Sequence, residues 1–154
     1  MLSEQDKQEI DRAIADAHDK RGACIDALKI AQRSQGWVSD QALDELAGLL
    51  EMTPAELDNV ATFYNRIYRR PVGRHVILMC NSVSCWIKGY GRLREHLRAT
   101  LGIAVGETSA DGRFTLLPNE CLGVCEHAPA MMVDEDLYVD VDENKIDQTL
   151  QKYR

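Results

Sequence analysis

The sequence predicts an α+β protein in two parts, a bundle of short helices over residues 1–72 followed by an α/β sandwich over residues 73–154. Three observations carry this. The first part alternates short apolar-periodic stretches with helix caps and stops. From Arg74 onward the texture changes to apolar runs of strand length. Four of the five cysteines then fall in the second part as two short-spaced pairs, Cys80-x4-Cys85 and Cys121-x3-Cys125.

In the first part, Ser3 can cap a helix running to about Ala17, and a second helix from Ala23 to Ser34 carries Ile25, Leu28 and Ile30 before a left-handed stop at Gly36. Ser39 can cap a third helix through Leu43, Leu46 and Leu50. Thr53-Pro54-Ala55-Glu56 is a capping box with proline at the first helical position, where a missing N–H costs nothing, and opens a fourth helix to about Phe63. Helices this short do not persist alone and must bury their apolar faces on one another. Arg66, Arg69, Arg70-Pro71, Gly73 and Arg74 form a basic, proline-interrupted boundary.

In the second part, His75-Val76-Ile77-Leu78-Met79 has the length and continuity of a buried strand and ends at Cys80. A helix from about Cys85 to Leu101 places Leu93, Leu97 and Leu101 on one face and stops at Gly102. Arg113 to Leu117 reads as a second strand, broken by Pro118. The runs Ala130–Val133 and Leu137–Val141 flank Asp134-Glu135-Asp136 as a hairpin, and Asp142 can cap a last helix to about Tyr153. Strand, helix, strand, hairpin and helix is a plan compatible with a thioredoxin-like fold.

Composition narrows the function. An apolar fraction of 45% and a charged fraction of 28% are those of an ordinary globular chain. The net charge of -7, spread over both halves, opposes a polyanion-binding face and hence nucleic acid. No stretch approaches the roughly 18 apolar residues of a membrane span, and the polar start Met1-Leu2-Ser3-Glu4 lacks a signal-peptide core, so the expected location is the cytoplasm without direct membrane insertion.

An odd cysteine count in a reducing compartment disfavours a disulfide framework and points to thiols as ligands. Four thiolates on two loop tips can surround a soft metal centre. A structural zinc ion and a 2Fe-2S cluster both accept these spacers, and a dithiol switch also remains open. Gly123 would let the backbone pass close to an inorganic sulfide, while Leu122, Val124 and Val83 would keep water out.

Cys80-Asn81-Ser82-Val83-Ser84-Cys85 and Cys121-Leu122-Gly123-Val124-Cys125-Glu126-His127-Ala128-Pro129 resemble the two cluster-binding loops of the thioredoxin-like 2Fe-2S ferredoxin family. The resemblance extends through Gly36-Trp37-Val38-Ser39, Pro54-Ala55-Glu56-Leu57, Val60-Ala61-Thr62-Phe63-Tyr64 and Pro71-Val72-Gly73-Arg74. It implies one 2Fe-2S cluster held by Cys80, Cys85, Cys121 and Cys125, which serve as cofactor-binding and metal-ligating residues alike. It also implies an electron-transfer subunit of a respiratory NADH:quinone oxidoreductase, with no substrate site of its own. FMN and NADH would sit only on a flavin- and NADH-binding partner subunit. The large iron-sulfur subunit would be a further neighbour, and the complex would hold the chain on the cytoplasmic face of the inner membrane.

Other candidates carry less. Gly89-Tyr90-Gly91 lacks the later glycine of a dinucleotide fingerprint and does not follow a strand. Cys24 reads as a core thiol and His127 as a neighbour of the centre rather than a ligand. His18, His75 and His96 have no paired partner in sequence. Fold analogy suggests a cis bond at Pro129, and Phe63-Tyr64 is either a docking surface or a closure of the helical core.

Overall fold

The computed structural model describes residues 1–153. It divides into two compact units, one over Met1–Pro71 and one beginning at Val72, one residue before the expected start at 73. Arg154, the end of the expected second domain, lies outside the described residues.

The first unit is helical. Helix α1 spans Glu4–Asp16, α2 Cys24–Gln35, α3 Asp40–Leu49 and α4 Pro54–Phe63. Side-chain caps start three of the four. Ser3 and Asp6 form a reciprocal box on α1, Ser39 accepts the Ala42 N–H, and Thr53 and Glu56 form the box on α4. Helix α2 has no side-chain cap and is launched instead by a 3-10 turn, Lys20–Ala23, whose Asp19 side chain accepts the Gly22 N–H at 2.8 Å. Apolar faces meet in one core built on Ile10, Leu28, Leu46, Leu50 and Leu57. Arg69, expected only as part of a basic stretch, ties this unit together. Its guanidinium reaches Asp58 at 2.6 Å, Asp40 at 2.7 Å and the Val38 carbonyl.

The α4 box is also a pH device. The Glu56 carboxylate accepts the Thr53 N–H at 2.9 Å and the Thr53 hydroxyl at 2.8 Å, and pairs with Arg21. The Thr53 backbone bond, then Arg21, then the Thr53 hydroxyl pull its pKa from 4.5 down to about 2. A depressed carboxylate stabilises the fold fully above its unfolded pKa, and that contribution disappears as pH falls through the folded one. The melting temperature of wild type relative to Glu56→Gln should therefore decline between pH 4.5 and about 2. Thr53→Ala should cost about 1 kcal/mol in denaturant melts near neutrality.

The second unit is a four-stranded mixed sheet backed by helices. Strand β1 spans His75–Cys80, β2 Phe114–Asn119, β3 Met131–Val133 and β4 Asp136–Tyr138, in the order β2-β1-β3-β4. β1 runs parallel to β2 and antiparallel to β3. Every residue of β1 after His75 is buried, as a central strand with an unbroken apolar run requires. Ile77 and Met79 pack in one core with Phe114, Leu116, Met131 and Val133. Leu93 and Leu97 of α6 (Tyr90–Leu101) and Ile146 and Leu150 of α7 (Glu143–Leu150) join that core.

Three expectations change here. The single helix from Cys85 to Leu101 is two, a short α5 over Val83–Ile87 and then α6, because Gly89 adopts φ 115°, a conformation that side chains rarely take. Pro118 does not end its strand, since β2 is an edge and the absent N–H removes no ladder bond that the sheet needs. The hairpin turn is shorter than expected: Val133 pairs with Asp136, leaving Asp134-Glu135 as the loop. Asp134, at φ 54°, accepts the Val76 N–H at 2.9 Å and meets His75 Nδ1 at 2.7 Å, which fastens the turn to β1.

Candidate metal centre

Both cysteine loops leave the same end of the sheet. β1 and β2 are parallel and in register, with Cys80 opposite Asn119, so the chain leaves both strands side by side: Cys80 ends one, and Cys121 follows two residues after the other. The Asn81 N–H bonds the Asn119 carbonyl at 2.9 Å and the Cys80 N–H bonds the Ala130 carbonyl at 3.2 Å, which fixes the first loop to its neighbours. Cys85 lies in α5, and Cys125 opens a 3-10 turn, Cys125–His127, before the cis bond Ala128–Pro129.

The second loop already holds its two sulfurs close together. Cys121 and Cys125 Sγ stand 3.7 Å apart. Two thiolates on one tetrahedral metal, with bonds of about 2.3 Å, stand roughly 3.8 Å apart. Cys80 lies beside Cys85, Ser84 of the first loop lies near Cys125, and Cys125 lies close enough to both Cys80 and Cys85 to feel their charge. Among the described residues no three histidine, cysteine or acidic side chains converge on one point suited to a single ion. Each loop thus brings one cysteine pair to the same end of the sheet, and the Cys121–Cys125 pair stands at the separation two thiolates take on one metal.

Burial, with the Cys80 hydrogen bond second, pushes the Cys85 thiol up to about 11. The hydrogen bond to Cys121 is the main cause that raises Cys125. The free chain therefore keeps protons on these sulfurs at neutral pH, and a metal must displace them. The Ala130 N–H and Ser84 hydroxyl lie near enough to Cys85 and Cys125 to favour their thiolates, and the Gly123 N–H already donates to Cys121 Sγ at 3.3 Å. Gly123 is at φ 80° with open space where a Cβ would stand, so it serves the turn that aims this N–H.

Cys80, Cys85, Ala128 and Ala130 are buried together, with Leu122 and Val124 packed on them. Val83, expected to shield the centre, is instead 67% exposed and forms a solvent-facing stripe with Trp86 and Ile87 on α5. Sequence reasoning missed this stripe, whose signal was the i, i+3, i+4 spacing of three apolar residues around a cysteine. His127 pairs with Asp140 at 3.2 Å rather than completing a ligand set. Cys24 packs at the edge of the helical core. Phe63 and Tyr64 stack edge to face, and Phe63 is largely exposed, so this pair does not close the helical core.

A mixed sheet with helices on one face and paired thiols on two loops at its end defines a metal-thiolate protein of thioredoxin-like architecture. The profile of the thioredoxin-like 2Fe-2S ferredoxins matches residues 10–154, and the chain belongs to that family, whose cofactor is a 2Fe-2S cluster. Over 153 residues it is 42% identical to the E subunit of the NADH-quinone oxidoreductase of Pseudomonas aeruginosa, covering 99% of this chain and 92% of that protein. The corresponding E subunit of Escherichia coli K12 is 43% identical with the same coverage. Among solved structures, a chain of an NAD+-reducing NiFe-hydrogenase in its H2-reduced state superposes with a TM-score of 0.69 at 27% identity. That match covers 82% of this chain but only 22% of the hydrogenase chain. No described helix is long and apolar enough to cross a membrane.

Proposed function

We propose that this chain is the electron-transfer subunit of an NADH:quinone oxidoreductase, holding one 2Fe-2S cluster with Cys80 and Cys85 on one iron and Cys121 and Cys125 on the other. The observation that supports this reading is that parallel, in-register strands lead both cysteine loops out of one end of the sheet, with Cys121 and Cys125 at the sulfur separation two thiolates take on one metal. When bound, the cluster supplies reversible one-electron exchange. The residues around it supply the rest. Ala128, Ala130, Leu122 and Val124 exclude water, and the Gly123 N–H, with the nearby Ala130 N–H and Ser84 hydroxyl, offsets negative charge on the sulfurs. Cys121 and Cys125 are exposed, which leaves an open edge for electrons to enter and leave.

The proposed partner is a subunit bearing FMN and NADH, with the large iron-sulfur subunit nearby and the assembly on the cytoplasmic face of the inner membrane. The exposed α5 stripe supports this, because its buried side carries Cys85 and a redox centre docked there would lie close to the cluster. Trp86→Lys should weaken association with the flavin subunit at least tenfold in a binding titration, as loss of an aromatic anchor does, and leave the iron content unchanged. A diaphorase role beside a hydrogenase is favoured by the structural likeness. The near-complete coverage of the NADH-quinone oxidoreductase subunits favours the respiratory reading.

Anaerobically purified protein should contain two irons and two acid-labile sulfides per chain and give a rhombic paramagnetic resonance signal after dithionite. One zinc and no sulfide would overturn the proposal. Reduction adds negative charge, so Glu126 beside Cys125 should oppose it. Glu126→Gln should raise the midpoint potential in a redox titration, and an unchanged midpoint removes this role for Glu126.

A further inference from the structure

The two proposed ligand pairs differ in a respect that electron transfer does not require. Cys80 and Cys85 are each 3% exposed, one at the end of a strand paired on both sides and one in a helix. The Cys80 thiol donates to the Glu120 carbonyl at 3.6 Å. Cys121 and Cys125 are exposed and flank the short Leu122-Gly123-Val124 loop, whose glycine takes φ 80°. Their sulfurs, 3.7 Å apart, need to approach by only about 1.7 Å to reach disulfide bonding distance. Thiol–disulfide exchange also needs an open line of approach to a sulfur, which the exposed pair has and the buried pair lacks.

We propose that in the cluster-free chain Cys121 and Cys125 are a redox-sensitive thiol pair, closed into a disulfide by a low-molecular-weight disulfide, so that cluster loading waits on reduction of this loop. The proposal rests on the assignment of the four cysteines as the ligand set. In the first step one of the two sulfurs, as thiolate, attacks the reagent's disulfide, forms a mixed disulfide and expels one thiolate. The second sulfur then attacks the mixed disulfide, forms the Cys121–Cys125 bond and expels the other thiolate. The two protons leave with the released thiols, and two electrons pass from the loop to the reagent. Closed, the loop offers no thiolate to iron. It is also protected from the irreversible sulfinic and sulfonic steps to which exposed thiols are open. A dithiol reductant restores both ligands.

The test uses the full-length chain, made cluster-free by anaerobic chelation and then exposed to oxidised glutathione. Free thiols are alkylated after denaturation and the tryptic peptides are weighed. Cys121 and Cys125 lie together between Arg113 and Lys145 with no other lysine or arginine, so one peptide reports the pair. The expected result is that this peptide escapes alkylation and has lost two hydrogens, while Cys24, Cys80 and Cys85 are labelled. The cluster-loaded chain should show no such loss. The oxidised chain should take up iron and sulfide only after dithiol reduction. A Cys80→Ser chain, unable to complete the ligand set, should form the same bond. A persistent glutathione adduct, bonds spread over other cysteines, or normal cluster uptake by the oxidised chain would each overturn the proposal. A reduced chain that forms the loop disulfide on demand yet never takes up iron and sulfide would instead overturn the ligand assignment.

Discussion

Replacing any one of Cys80, Cys85, Cys121 or Cys125 by serine should strip the purified protein of most of its iron, acid-labile sulfide and visible absorption, whereas Cys24→Ser should leave all three intact. The contrast follows from position. Cys24 lies in helix α2 against the edge of the helical core and is the only cysteine of that unit. The other four form two mutually interacting pairs that must all be deprotonated and oriented together. A serine hydroxyl has neither the softness nor the acidity to replace a thiolate on iron. The Ser84 hydroxyl contributes indirectly, as a polar neighbour that favours the Cys125 thiolate. Ser84→Ala should therefore keep the cluster but lose it to a chelator on the order of 10-fold more readily, the scale on which outer partners of metal ligands act. Full retention of iron and sulfide in Cys121→Ser would remove that residue from the ligand set.

Much of this site is legible in the sequence alone. Cysteine spacing and the strand ending at Cys80 are local signals, and local signals survive folding. The side-chain caps of four α-helices, at Ser3, Ser39, Thr53 and Asp142, can be read from single residues for the same reason, since a cap depends on a side chain and the N–H two or three residues ahead. The break between α5 and α6 is less accessible, because the leucine spacing through Leu93, Leu97 and Leu101 continues smoothly while the interruption depends on one glycine's φ. Pro118 misleads because its effect on a strand depends on which side of the strand has a neighbour, a fact of sheet order that its own sequence does not contain. Val83 reads as inward-facing because it is apolar, and only the placement of Cys85 on the opposite side of α5 turns it outward. Arg69 is the clearest long-range case, as its partners Val38, Asp40 and Asp58 lie on other segments and no spacing rule links them.

Phe114→Ala should lower the stability of the sheet unit by about 3–5 kcal/mol while leaving the spectrum of the loaded cluster unchanged at temperatures where the variant is folded. The side chain is fully buried in the core that joins β1, β2, α6 and α7. Its ring lies 5.7 Å from that of His75, its partner in register, and the Arg113 guanidinium stands 4.8 Å from the ring. Removing it leaves a cavity that β2, held by β1 on one side and by the Thr108–Thr115 bridge on the other, can only partly collapse, and the loss is a large fraction of the roughly 5–15 kcal/mol that holds a domain folded. The cluster loops are at the other end. Asn119, the last residue of β2 before the second loop, is five residues along the strand, roughly 17 Å away at the usual rise. Core and site thus share strands without sharing contacts: Phe114 is packed among apolar side chains, and the sulfurs are held by Ala128, Ala130 and the loop backbones. Thermal melts of loaded protein followed by both circular dichroism and cluster absorption test this separation. An altered spectrum well below the melting transition would mean that packing at the start of β2 reaches the sulfurs, and that stability and electron transfer cannot be varied independently along this strand.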